Sequence, residues 1–134
     1  MVAVTDLLNR YYQAFNLQDM ETFLSLLTDD VVHDINQGGS EVGKPAFASF
    51  MTRMNRCYRE QIVDLVIMSD ATGTRAAAEF TVLGTYLATD EGLPEATQQT
   101  YRLPAGAFFE IREGRVARVS NYYNLQDWLR QVGA

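Results

Sequence analysis

The chain has 134 residues, a net charge of -6 and 21% charged against 47% hydrophobic residues. That length suits one domain, 1–134, able to bury roughly two-thirds of its unfolded surface. One lysine, Lys44, ten arginines and no basic run within an acidic chain exclude binding to DNA or RNA through phosphate neutralisation. A lone cysteine, Cys57, excludes an intrachain disulfide and a cysteine-based zinc site, and a lone histidine, His33, argues against any metal. No cofactor is expected. The N-terminus lacks a basic stretch ahead of an apolar core, and no apolar run approaches the ~20 residues of a membrane span. A cytoplasmic location with no membrane contact is therefore expected.

Val4, Leu7, Leu8, Tyr11 and Phe15 recur at helical spacing and predict a first helix. Asp19 suits the cap of a short second helix, "METFLSLL", that stops at Thr28-Asp29-Asp30. A strand follows at 31–35, and "QGGSEVG" reads as a loop. Pro45 fits the first turn of a third helix with the apolar face Phe47, Phe50, Met51, Met54 and Tyr58. Strands are predicted at 62–69, 74–87, 98–111 and 115–124, with Gly73 and Gly114 at tight turns. "ATDEGLPEATQQ" is a long turn, and 125–132 a last short helix. Helices first and a strand meander later predict α+β: a curved antiparallel sheet wrapped around three N-terminal helices, enclosing a cone-shaped pocket.

Alternation assigns the pocket walls. In the last strand Ala117, Val119, Asn121 and Tyr123 share one face; Val116, Arg118, Ser120 and Tyr122 share the other. In the strand before, Leu103, Ala105, Ala107 and Phe109 oppose a set containing Arg102, Phe108 and Glu110. The charged sets are assigned outward. Phe15, Phe50, Met54, Phe80 and Val82 would supply apolar walls, although wall and ordinary core look alike in a sequence. Tyr86 and Tyr101 would add hydroxyls at the mouth. The outward Phe108 and Tyr122, ringed by Arg102, Glu110 and Arg118, mark an interface. Arg53, Arg56 and Arg59 read as a solvated helix edge.

"DDVVHDINQGG" sets His33 and Asp34 side by side in an apolar strand. Strand neighbours point to opposite faces, so without a bulge only one of them meets the pocket. If Val32, Asp34 and Asn36 face it, Asp34 is the base and His33 packs on the far side. The rival parity, with Val31, His33 and Ile35 inward, makes His33 the base. The bland alternative for Asp34 is a solvated strand end or an Asx-turn acceptor before Gly38-Gly39. Tyr11 is either a core aromatic or a hydroxyl donor, and Tyr12, off the helix stripe, is expected to be exposed.

"DLLNRYYQAFNLQDMETFLSLLTDDVVHD", a helix, and a meander ending "AGAFFEIREGRVARVSNYYNL" resemble the nuclear transport factor 2-like superfamily over about residues 4–130. The nearest branches by resemblance are ketosteroid isomerase and the SnoaL-like polyketide cyclases. The resemblance implies a tyrosine on the first helix that donates to the substrate oxyanion, matched by Tyr11. It implies an aspartate general base, matched by Asp34 if one residue is deleted from the strand, so the Asp34 parity is preferred. It implies a second, protonated acid, and at that position stands Ala107. Ketosteroid isomerase builds its oxyanion hole from a tyrosine and a neutral aspartic acid; half of that pair is missing here. Pairing through the outer sheet face into a homodimer is implied as well. The expected function is an isomerase, dehydratase or cyclase acting on a small apolar carbonyl compound by proton abstraction and enolate stabilisation. The alternative is a non-catalytic module of the same fold that binds a hydrophobic ligand or a protein.

Overall fold

The structure, a computed structural model, describes residues 2–35 and 37–133. Helix α1 spans Val2–Leu17 and α2 spans Met20–Ser25. Asp19 caps α2, its Oδ1 accepting from the Thr22 amide at 3.2 Å, which satisfies an end donor of the helix. Strand β1 (Leu27–Ile35) starts four residues earlier than its apolar run suggested, taking in Thr28, Asp29 and Asp30. Within "QGGSEVG" a short strand, β2 (Ser40–Val42), pairs back onto β1.

Helix α3 (Lys44–Cys57) opens with Pro45 in its first turn after Gly43, whose φ of 103° suits glycine. Strands β3 (Tyr58–Ser69), β4 (Arg75–Tyr86), β5 (Thr100–Arg112) and β6 (Arg115–Tyr123) form the meander, and α4 (Leu125–Val132) ends the chain. β3 begins four residues before the predicted strand and shifts register between Val63 and Val66. Asp64 there takes φ 55°, the geometry of a bulge. Glu113 and Gly114 both have positive φ at the β5–β6 hairpin, as a tight primed turn requires.

The six strands run in the order β2-β1-β6-β5-β4-β3. β1 lies parallel to β6 and every other neighbouring pair is antiparallel. The parallel pair follows from topology: β1 precedes the meander and reaches β6 only through a long crossover. α1 and α3 cover the concave face. Leu8, Phe23, Phe47, Phe109, Val116 and Val119 form the buried centre with Leu27 and Val31. Among the described residues, no helix is long and apolar enough to cross a membrane.

Candidate active site

A cavity of about 380 Å³ lies between the concave sheet face, α1, α3 and the segment 87–99. The apolar stripe of α1 contributes Tyr11, Tyr12 and Phe15; α3 contributes Phe50, Met51, Arg53 and Met54. The sheet supplies His33, Glu60, Phe80, Val82, Asn121 and Tyr123. A pocket of this size, mostly apolar with a few converging polar groups, is the usual form of a small-molecule site.

The structure reverses the preferred parity of β1. In a parallel pair, residues in register point the same way. His33 is in register with Val119 and Asp34 with Ser120. Val119 is fully buried on the concave side, so His33 faces the cavity with Ile35, and Val31 is core. Asp34 lies outside the cavity, on the convex side. There the Ser40 hydroxyl donates to its Oδ1 at 2.7 Å, and Arg118 Nε donates to its Oδ2 at 2.7 Å. Ser40, then Arg118, holds the Asp34 carboxyl below the usual carboxylate range, against the opposing effect of partial burial. Arg118 also donates to Glu110 Oε2 at 2.9 Å. The signal in the sequence is the outward face of β6: Arg118 and Ser120 share it, and an acid on the same face of the adjoining strand bonds to them. Asn36, part of the same parity set, lies outside the described residues.

His33 is 2% exposed. Its ring stacks on Phe47 at 4.2 Å between centroids and meets Phe50 edge-on at 4.6 Å. Burial pushes its pKa down from 6.5 to about 4, the Asp34 charge opposing, so the imidazole is neutral at pH 7. Asn121 Nδ2 lies 3.5 Å from His33 Nε2. On the other side Nδ1 lies 3.8 Å from Glu41 Oε1 on β2. Nδ1 and Glu41 Oε1 are both buried without a hydrogen-bond partner. Both neighbours favour the tautomer with the proton on Nδ1 and a lone pair on Nε2.

Tyr11 and Tyr12 both line the cavity and both are 5% exposed, so the expectation that Tyr12 is exposed is corrected. α1 is covered by the sheet over a wider arc than its simplest apolar stripe, and Tyr12 packs on Phe80 at 5.2 Å. The Tyr12 hydroxyl is buried and unpartnered. Burial raises the pKa of both tyrosines, leaving them proton donors at any working pH.

Four expected wall residues lie elsewhere. Val119 and Phe109 are core beneath the wall, Phe109 packing edge-on against Tyr11 at 5.5 Å. Ala107 is buried in the core beside them. The Tyr86 hydroxyl is spent on structure, donating to Pro94 O at 2.6 Å and accepting from the Asp90 amide at 3.0 Å. Phe15, Phe50, Met54, Phe80, Val82, Asn121 and Tyr123 do line the cavity. Arg53, expected on a solvated edge, reaches the wall and approaches Asp90 at 3.7 Å.

The far end of the cavity was not legible as a site. Tyr58 donates to Asp90 Oδ2 at 2.8 Å, and Tyr101 donates to Glu60 Oε2 at 2.5 Å. Trp128 of α4 closes this end against Tyr58, Tyr86 and Tyr101. Glu60 sat before the strand predicted from residue 62, and Asp90 in a turn of free-looking acids. Among the described residues, no group of three or more His, Cys, Asp or Glu is gathered to hold a metal ion.

The SnoaL-like domain family matches residues 8–119. A crystal structure of a candidate polyketide cyclase from Pseudomonas putida KT2440 is 64% identical, covers 96% of this chain and 97% of its own, and superposes with TM-score 0.95. A second candidate polyketide cyclase, from Xanthomonas campestris pv. campestris, is 53% identical over 96% of both chains, with TM-score 0.93. An LEH-like epoxide hydrolase from M. tuberculosis shares the fold at TM-score 0.74 with 16% identity, over 98% of this chain and 90% of its own. No match is found among curated proteins. The match over most of the chain and the shared architecture place it plainly: the chain belongs to the SnoaL-like domain family, within the nuclear transport factor 2-like fold.

Proposed function

We propose that the protein acts on a small, largely apolar carbonyl compound, with His33 as the general base in place of Asp34. The observation that carries this reading is the His33 imidazole: neutral, on the wall of an apolar cavity, with a carboxylate waiting behind it. In the step proposed, the Asn121 amide gives way at Nε2, 3.5 Å from it, and Nε2 takes a proton from the carbon next to the carbonyl. The C–H electron pair moves into the carbonyl, and the oxygen gains charge. A tyrosine of α1, Tyr11 or Tyr12, donates a hydrogen bond to that oxygen. Glu41 steadies the new imidazolium through Nδ1–H. Return of the proton at another carbon gives isomerisation; attack of the enolate on a second carbonyl gives ring closure. The candidate cyclase names of the similar structures favour the second outcome.

The test needs no knowledge of the natural substrate. Protein added to 2-decalone or 2-tetralone in D2O should speed exchange of the α-protons, read by proton NMR. The rate should be flat through neutral pH and fall as pH drops through about 4, where His33 gains its proton. Ligand retained in native mass spectra with no exchange on any ketone would replace this reading with a binding module.

The proposed assembly is a two-fold homodimer through the convex sheet face. Phe108 is 55% and Tyr122 50% exposed, packed edge-on at 5.5 Å, with Met68 50% exposed on the same sheet. Light scattering should give twice the chain mass, and Phe108→Asp should halve it; a monomer that Phe108→Asp leaves unchanged removes the interface.

A further inference from the structure

The second end of the cavity holds a carboxyl that the proposed chemistry does not use. Glu60 opens β3 and lines the wall four strands from β1 in the sheet order. Its Oε2 accepts from the Tyr101 hydroxyl. Among the described residues no other donor is paired with it. The one arginine on the wall, Arg53, is engaged with Asp90 and lies over the Phe50 ring at 5.6 Å. Other titratable groups at this end are Tyr58 on the same strand, Tyr101 on β5, Tyr123 on β6, and Asp90 and Glu91 on the 87–99 segment. None of these supplies a positive charge. An ionised carboxylate without a cation is costly in an apolar wall. Burial raises the Glu60 pKa, opposed by the Tyr101 hydrogen bond.

The arrangement is built rather than incidental. Glu60 is paired with Gly84 on β4, and Gly84 with Tyr101 on β5. A Cβ at Gly84 would lie 2.2 Å from the Tyr101 ring and 2.5 Å from its hydroxyl oxygen. The missing side chain is what lets Tyr101 cross β4 and reach Glu60. Trp128 flanks the Tyr101 ring at 6.0 Å.

We propose that Glu60 is a binding residue: its carboxyl, held at Oε2 by Tyr101, donates from Oε1 to an oxygen acceptor at the end of the ligand remote from His33. The site then selects compounds with an apolar body and two oxygen functions, one at each end. This rests on the ketone reading above and names the class of compound that reading takes. A diketone or keto-ester fits; a monoketone leaves Glu60 without a partner.

Trp128 is the chain's only tryptophan, and its fluorescence reports occupancy of this end. Wild-type protein, at a pH below the raised Glu60 pKa, should bind decalin-2,6-dione about tenfold tighter than 2-decalone, the worth of one hydrogen bond in an apolar site. Glu60→Leu should bring the two within about twofold. Glu60→Gln, which still donates and cannot ionise, should keep the preference. In wild type the preference should shrink as pH rises through the elevated Glu60 pKa, and Glu60→Gln should abolish that dependence. Equal binding of both probes by wild type, or loss of the preference in Glu60→Gln, overturns the anchor and leaves the ketone reading standing. Tighter binding of 2-aminodecalin that disappears in Glu60→Gln also overturns it, making Glu60 an ion-pair site. If neither ketone binds, the ketone reading fails and the anchor fails with it.

Discussion

The two faces of β1 treat adjacent titratable residues differently. On the convex face, both Asp34 oxygens are taken by Ser40 and Arg118, so the side chain has little capacity left for anything from outside. On the concave face, His33 sits in an aromatic slot with its nearest carboxylate at 3.8 Å, beyond hydrogen-bond reach. Buried polar groups are normally satisfied. The unsatisfied pair, Nδ1 and Glu41 Oε1, lies behind the ring, set to gain a hydrogen bond when the imidazole takes up a proton, whereas a closed network on a solvent face points to structure. Chain proximity says nothing about which is which; register with β6 decides it.

The largest expected effect comes from removing the slot. Phe47 is 2% exposed and contacts both His33 and Phe23. Phe47→Ala should cost about 3–5 kcal/mol in chemical denaturation, the usual range for a buried phenylalanine. It should also raise the His33 pKa by admitting water.

Acid titration separates the two faces next. His33 has a folded pKa near 4 against 6.5 when unfolded. Between those values the unfolded chain binds a proton that the folded chain refuses, so stability falls as pH drops from 6.5 towards 4. The loss should be on the order of 3 kcal/mol, and His33→Gln should flatten it. Asp34 has a lowered pKa, so its contribution is present above about 3.8 and is lost only below that, as pH falls through its folded value. Denaturation midpoints across pH 3–7 check both windows.

A smaller effect is expected from Glu41→Gln, which keeps the shape and removes the charge behind Nδ1. Exchange on a ketone should slow by about tenfold while binding is kept, since the charge matters once the imidazole is protonated. An unchanged rate would make Glu41 a bystander. The smallest is Arg118→Met on the convex face. Its ion pairs are partly exposed, so stability should change by under about 1 kcal/mol, with no change in exchange.

The sequence carried most of the fold. The apolar period of α1 and α3, Pro45, the Glu113-Gly114 turn and the strand alternation were sufficient for the α+β cone, and α4 falls on its predicted residues. β2 was missed because three residues between glycines have no periodicity to read. The early start of β3 was missed because Tyr58 to Gln61 looks like the tail of a helix. At the site, alternation on β5 and β6 placed Asn121 and Tyr123 correctly. The parity of β1 failed because a family correspondence with a one-residue deletion is a weaker guide than pairing, and pairing with a strand some 85 residues away is invisible locally. Glu60 and Tyr101 meet across β4 only because Gly84 lies between them, a contact no local pattern carries.

The most direct test of the central claim is the α-proton exchange rate of His33→Gln and Asp34→Asn measured side by side on one ketone. The account predicts a loss of about 10²-fold or more for His33→Gln, the size of a general-base effect, and a change within about threefold for Asp34→Asn. The reverse pattern, with Asp34→Asn inactive and His33→Gln unaffected, would contradict it.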